Sequence, residues 1–185
     1  MRKDLGAKPY LVPQPVLIVA AYDEEGKANC MNVAWGGMCD SKHVLMCLSG
    51  NHKTVKNILY SAAFTISIGT VPYVDSCDYV GIVSGNEVGN KMIKAGFSTI
   101  RSSFVDAPII NELPLALECK LVSYDRENGH LIGEIVNVSA DESILTDGNI
   151  DYEKLRPICY DPISHNYLKI IGKAGVAFEE GEKLK

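Results

Sequence analysis

The residues with the most chemical content fall in three short segments. Ser49-Gly50-Asn51-His52-Lys53-Thr54 stands before an apolar pattern in which Val55, Ile58, Leu59 and Ala62 recur at i, i+3, i+4 and i+7, the stripe of one helix face. A helix starting there offers unpaired backbone N–H groups and the positive end of its dipole. His52, Lys53 and the Thr54 hydroxyl add side-chain donors, so the segment is suited to hold a phosphate. Plain capping by Asn51 or Thr54, with the cations solvated, is the competing account of the same residues. The second segment, Asn29-Cys30-Met31-Asn32-Val33-Ala34-Trp35-Gly36-Gly37, contains the only Trp of the chain, followed by paired glycines. A flat apolar wall beside backbone that can be approached closely suits a planar aromatic ligand, and equally suits a core Trp at a strand end. The third, from Gly81 to Lys91, is rich in Gly and Ser and brings Lys91 within reach of a phosphate, or leaves it as an ordinary surface lysine.

Other chemistries lack their usual signatures. No G-x-G-x-x-G, G-x-x-x-x-G-K-[ST], H-E-x-x-H or G-x-S-x-G occurs. The four histidines, His43, His52, His130 and His165, are far apart in sequence and form no ligand pair at helical spacing. The six cysteines show no C-x-x-C pair, so reduced and mostly buried thiols are expected.

The elements that must position these segments are mainly strands. Val16 to Tyr22 is β-rich and, across Asp23 to Lys27, forms a hairpin with Asn29 to Trp35. Val44 to Leu48 and Phe64 to Ile68 read as strands on either side of the Val55–Ala62 stripe. A second helix is expected from about Glu87 to Ala95, with Gly96 as its stop. From Leu115 the period becomes two, with Leu115, Leu117, Cys119 and Leu121 on one face and Glu118 and Lys120 on the other, a half-exposed strand. An Asn128-Gly129 turn then returns the chain as Leu131 to Ala140. Hairpins outnumber helices, which argues for an antiparallel barrel or sandwich with a few peripheral helices, a mainly β (α+β) class.

The chain has 185 residues, close to the ordinary size of one domain, and it is long enough to bury a core without disulfide or metal staples. A net charge of -5 disfavours nucleic acid, no apolar run approaches a membrane span, and the N-terminus lacks a signal-peptide core, so a cytoplasmic protein is expected. The last residues, 179–185, read as a frayed tail.

Taken in this order, the segments resemble the flavin reductase-like family of FMN-binding split barrels, in particular its flavoredoxin-type members, from about Val16 to Phe178. The similarity is carried by Asn29-x-Met31 with Trp35, His52-x-Thr54 with Ile58, Ser61 and Phe64, Ser84-Gly85 with Lys91, Ala107-Pro108, Glu118-Cys119, His130 with Gly133-Glu134-Ile135-Val136, and Tyr167 with Gly172. Asn51-His52-Lys53 stands where many members of the family carry an arginine. The resemblance implies an antiparallel Greek-key split β-barrel, one FMN-binding domain over 1–185 with its core at about 12–178, and a homodimer with FMN near the interface. It implies Thr54, Ser49, His52 and Lys53 near the phosphate, Asn29, Asn32, Ala34 and Trp35 near the isoalloxazine, and Lys91 and His130 near ring or phosphate. Tyr167 is implied over the ring or from the partner, although Tyr160 satisfies the spacing as well. No catalytic acid, base or metal is required, because the cofactor carries the chemistry. The implied function is an FMN-dependent oxidoreductase that accepts hydride from NAD(P)H and passes electrons to free flavin, ferric iron, oxygen or a protein acceptor. The alternative is an FMN-carrying electron-transfer protein reduced by a redox partner.

Overall fold

A computed structural model describes residues 1–185. Its main sheet has seven antiparallel strands: β1 (Leu17–Tyr22), β2 (Ala28–Val33), β3 (Gly36–Met38), β4 (His43–Cys47), β5 (Ala63–Ile68), β6 (Leu115–Asp125) and β7 (His130–Ala140), in the spatial order β2-β1-β5-β6-β7-β4-β3. Helix α1 (Lys53–Ser61) links β4 to β5, and α2 (Val74–Ile82) and the short α3 (Lys91–Lys94) follow β5. The expected strand–helix–strand order around α1 and the two expected hairpins are therefore present. Register shifts between Ile132 and Gly133 and between Ile135 and Asn137 curl the long β6–β7 ribbon, giving the half-barrel form of a split barrel. Gly133 sits at one of these bends because the Phe64 ring fills its space: an added Cβ would lie 2.3 Å from the ring.

β1 is buried on both faces, and its period of two divides its side chains between two cores. Leu17, Val19 and Ala21 enter the barrel interior with Val33, Met46, Phe64 and Leu131. Ile18 and Ala20 enter a second core with Cys30, Val80, Met92 and Phe97 beneath α2 and α3. Each large side chain buried in this way contributes roughly 1.5–3 kcal/mol against exposure. A smaller sheet, Gln14–Pro15 with Ile158–Asp161 and Asn166–Lys169, closes over the second core.

Three expectations are corrected, and one helix is additional to those expected. The second helix does not span Glu87 to Ala95: only Lys91–Lys94 is helical, because residues 84–90 are taken up by turns before it. Helix α2 carries no amphipathic stripe, since only Cys77 and Val80 are buried along it, and periodicity gives no sign of it. Glu118 is not on an exposed face but is 1% exposed; its carboxylate accepts from the Ser102 hydroxyl and from Asn137 Nδ2 at 2.7 Å. Residues 180–184 form an exposed 3-10 turn rather than a frayed tail. All six cysteines are free thiols, Cys39 and Cys47 exposed and the other four buried. No helix is long and apolar enough to cross a membrane.

Candidate functional site: a cationic cleft at the start of α1

Helix α1 begins without a side-chain cap. His52, at the N-cap, has extended backbone and accepts nothing from the first turn, so the leading N–H groups of the helix keep no side-chain partner. Neither proposed cap acts as one: the Asn51 carbonyl accepts from Asn86 Nδ2 at 3.0 Å, and the Thr54 Oγ1 accepts from Asn29 Nδ2 at 2.7 Å. The Asn29 bond is buried and leaves the Thr54 hydroxyl proton available to an incoming oxygen.

Lys91 faces this helix end from α3. It is 3% exposed, yet its ammonium has no ion pair and no hydrogen bond within the protein. Burial lowers its pKa. Burial, followed by the charge of Lys91, also lowers that of His52, and both side chains line the same cleft. The ammonium opens onto the cleft and not onto a protein partner, so a negative group entering there would meet an unpaired, largely desolvated cation. The cleft between them encloses about 170 Å³, and no carboxylate lines it. Lys53 stands at its rim, 3.1 Å from Asp23.

The far wall is the loop after α2. Gly85 lies so close to Asn29 that an added Cβ would sit 2.3 Å from the Asn29 Oδ1, displacing the amide that orients Thr54. Asn86 latches this loop to α1, accepting from Lys56 Nζ at 3.2 Å while donating to the Asn51 carbonyl. Met31, Ser84 and Gly85 thus join the expected Asn29, His52, Lys53, Thr54 and Lys91 on the cleft. Asn29-x-Met31, and Ser84-Gly85 before Lys91, were their sequence signals.

The remaining expected residues lie elsewhere. Asn32 braces the neighbouring wall, donating to the Cys77 carbonyl at 3.0 Å and to the Tyr167 hydroxyl at 3.3 Å; that hydroxyl in turn donates to Asp78 at 2.8 Å. Burial and then Asp78 raise the Tyr167 pKa. Tyr160 instead meets His165 Nδ1 at 2.8 Å, so of the two tyrosines only Tyr167 bonds to Asn32. Ala34 and Trp35 follow β2 beyond the cleft, with Trp35 half exposed. Ser49 lines a separate shallow recess with Cys47, Leu48 and Tyr124, and His130 stands exposed at the start of β7. A wider hollow, about 870 Å³ beside Arg156, Ile170 and Gly172, has exposed cations on its walls together with the carboxylates of Asp151 and Glu153.

A curled antiparallel half-barrel with peripheral helices and a cationic cleft at a helix start defines a split-barrel protein of the flavin reductase-like class. The profile of the family described as the flavin reductase like domain matches residues 10–156, and the chain belongs to that family. Flavoredoxin of Desulfovibrio vulgaris (Miyazaki F) is 36% identical, with a TM-score of 0.93 over 98% of this chain and 100% of its own. Flavoredoxin from Methanosarcina acetivorans is 25% identical, with a TM-score of 0.86 over 100% and 98%. An uncharacterized protein of Aquifex aeolicus (strain VF5) is 28% identical over 158 residues, 80% of each chain.

Proposed function

We propose that the cleft holds the phosphate of FMN and that the protein is an FMN-dependent oxidoreductase accepting hydride from NAD(P)H. The observation that carries this reading is the buried, unpaired Lys91 facing the uncapped start of α1, with the Thr54 hydroxyl between them on a wall free of carboxylates. A dianionic phosphate monoester fits this donor set: the leading N–H groups of α1, Thr54 and His52 donate, and Lys91 and Lys53 balance the charge. Asn29 orients Thr54, and Gly85 leaves room for Asn29 to do so. Asn32, Ala34 and Trp35, continuing along and past β2, are assigned to the isoalloxazine. Bound FMN supplies hydride and electron transfer at its ring; the protein binds and orients it and keeps the phosphate end away from water. The exposed Val122, Val136 and Val138 on the β6–β7 ribbon support a homodimer.

The similarity to two flavoredoxins favours a second reading, an FMN-carrying electron-transfer protein reduced by a redox partner. The test is titration of the purified protein with FMN, then anaerobic addition of NADH or NADPH. Saturable FMN binding with bleaching of the flavin absorbance supports the oxidoreductase. Binding without bleaching by either nicotinamide, but with reduction by a protein donor such as a ferredoxin, supports the carrier. No FMN binding overturns both.

A further inference from the structure

Three elements distant in sequence meet at the Asn32 side chain, and together they leave its amide one way to face. Asn32 is on β2, Asp78 on α2, and Tyr167 on the last strand of the small sheet, Asn166–Lys169. Carboxylates and backbone carbonyls only accept hydrogen bonds, whereas a phenol has one proton to give. The Tyr167 proton goes to Asp78 Oδ1 at 2.8 Å, and Asp78 makes no ion pair and no other side-chain hydrogen bond. With that proton spent, the Tyr167 oxygen can only accept. It accepts from Asn32 Nδ2 at 3.3 Å, and the Cys77 carbonyl accepts from the same nitrogen at 3.0 Å. Both amide protons of Asn32 are thereby used, and a half-turn of the amide would set its oxygen against two acceptors.

Packing holds the same arrangement. An added Cβ at Gly81 would lie 3.1 Å from the Asn32 Cβ, so glycine at this point lets α2 close on β2. The Tyr167 ring lies against Tyr160, centroids 6.0 Å apart, and both rings pack on the second core. Burial and then Asp78 raise the Tyr167 pKa, so the hydroxyl keeps the proton that this chain of bonds requires. The one group left over is Asn32 Oδ1. It accepts nothing within the protein and stays open to solvent next to Gly81, itself part of the cleft wall.

We propose that Asp78 is a positioning residue for the flavin ring: through Tyr167 it locks the Asn32 amide with Oδ1 outward, as the acceptor for the ring's imide N–H. The inference rests on the assignment of Asn32 to the isoalloxazine. That ring has a single imide N–H, at N3, between two carbonyls. An amide free to turn would offer its own N–H to those carbonyls as readily as its oxygen to N3. A locked one selects the proton on N3, and Asp78 achieves this without touching the ring.

The test is titration of the purified protein with FMN and with 3-methyl-FMN, in which a methyl replaces that proton and the phosphate is unchanged. The methylated ligand is expected to bind roughly tenfold to a hundredfold more weakly, the scale of a hydrogen bond whose acceptor is left unmet. Tyr167→Phe keeps the ring in the core and leaves the amide held by one N–H instead of two. Asp78→Leu removes the carboxylate and frees the Tyr167 proton for Asn32 Oδ1. In both variants the preference for FMN should fall by about threefold to tenfold. A merely structural role would weaken both ligands together and leave their ratio unchanged, as Lys91→Met at the phosphate end should. Equal affinities in the unmodified protein, a measurement that needs no variant to fold, would overturn the proposal, as would an unchanged ratio in folded Tyr167→Phe and Asp78→Leu protein. Failure of both ligands to bind the unmodified protein would instead overturn the flavin reading, and the proposal with it.

Discussion

The cleft at the start of α1 and the outward end of the β4–β7 pair contain similar groups. Each has a histidine, a cation and a polar atom able to give up or share a proton, yet the two differ in access to water. In the cleft, Lys91 is buried without a partner and Thr54 is fixed by the Asn29 amide, so the donors are in place before any ligand arrives. At the end of β4, Cys47 and His130 are exposed and aligned only by strand register, with Arg126 beside the same recess as Cys47. Buried donors favour tight holding of an anion, because little reorganisation remains to be done; exposed ones keep their water and would first have to be ordered. The same contrast divides the cysteines. Burial first of all raises the thiols of Cys30, Cys77 and Cys119 to about 12, which leaves them inert at neutral pH, while Cys47 stands in solvent.

The sharpest way to break this contrast is to remove the buried charge. Lys91→Met should weaken FMN binding by about 2–3 kcal/mol, the scale of a lost charge-assisted bond, and should leave the FMN-free protein as stable or more stable, because an unpaired ammonium no longer has to be dehydrated. Isothermal titration and thermal unfolding read the two effects separately; equal loss of both would make Lys91 merely structural. Alkaline titration tests the buried thiols next. Their folded pKa values lie above the ordinary thiol value, so their contribution is complete below about pH 9 and is lost as pH rises toward about 12. Lys91, lowered by burial, works in the opposite direction over the alkaline range, so Lys91→Met should make the decline measured by denaturant titration steeper.

Thr54→Val keeps the shape of the cleft and removes one hydroxyl. FMN affinity measured by fluorescence quenching should fall by roughly 1–2 kcal/mol, and an unchanged affinity would remove Thr54 from the phosphate site. The smallest effect is expected from Asn86→Ala. Asn86 is exposed, and its two bonds only latch the loop to α1, so a loss of about 0.5–1 kcal/mol in FMN affinity, seen as faster dissociation in stopped flow, is the expected result.

How far these regions were legible in the sequence depended on whether a residue declares its surroundings through its neighbours. The β1–β2 hairpin and α1 were legible because period and turn residues agree there. The start of α1 was legible as a run of consecutive donors, the basis of the proposed phosphate site. Helix α2 was not, since its buried residues are only Cys77 and Val80 and its exposed ones are as apolar as Ile82. Glu118 followed the alternation of its strand into the wrong class: charge suggested solvent, while Ser102 and Asn137, distant in sequence, satisfy the carboxylate inside the fold. The burial of Lys91 was equally hidden, because only the packing of α3 against β2 takes water from it. Ser49 and His130, grouped with the cleft residues by resemblance, lie in the structure with Cys47 at the other region, a division that depends on β4–β7 register and not on local sequence.

The double burial of β1 has a consequence for how the gene can change. On a strand with one solvated face, a one-residue insertion can be absorbed by a bulge. On β1 a one-residue slip would send Leu17, Val19 and Ala21 toward α2 and Ile18 and Ala20 into the barrel, misfilling both cores at once. Length variation among homologues is therefore expected to be excluded from residues 16–21 and to collect in the exposed turn at residues 24–27.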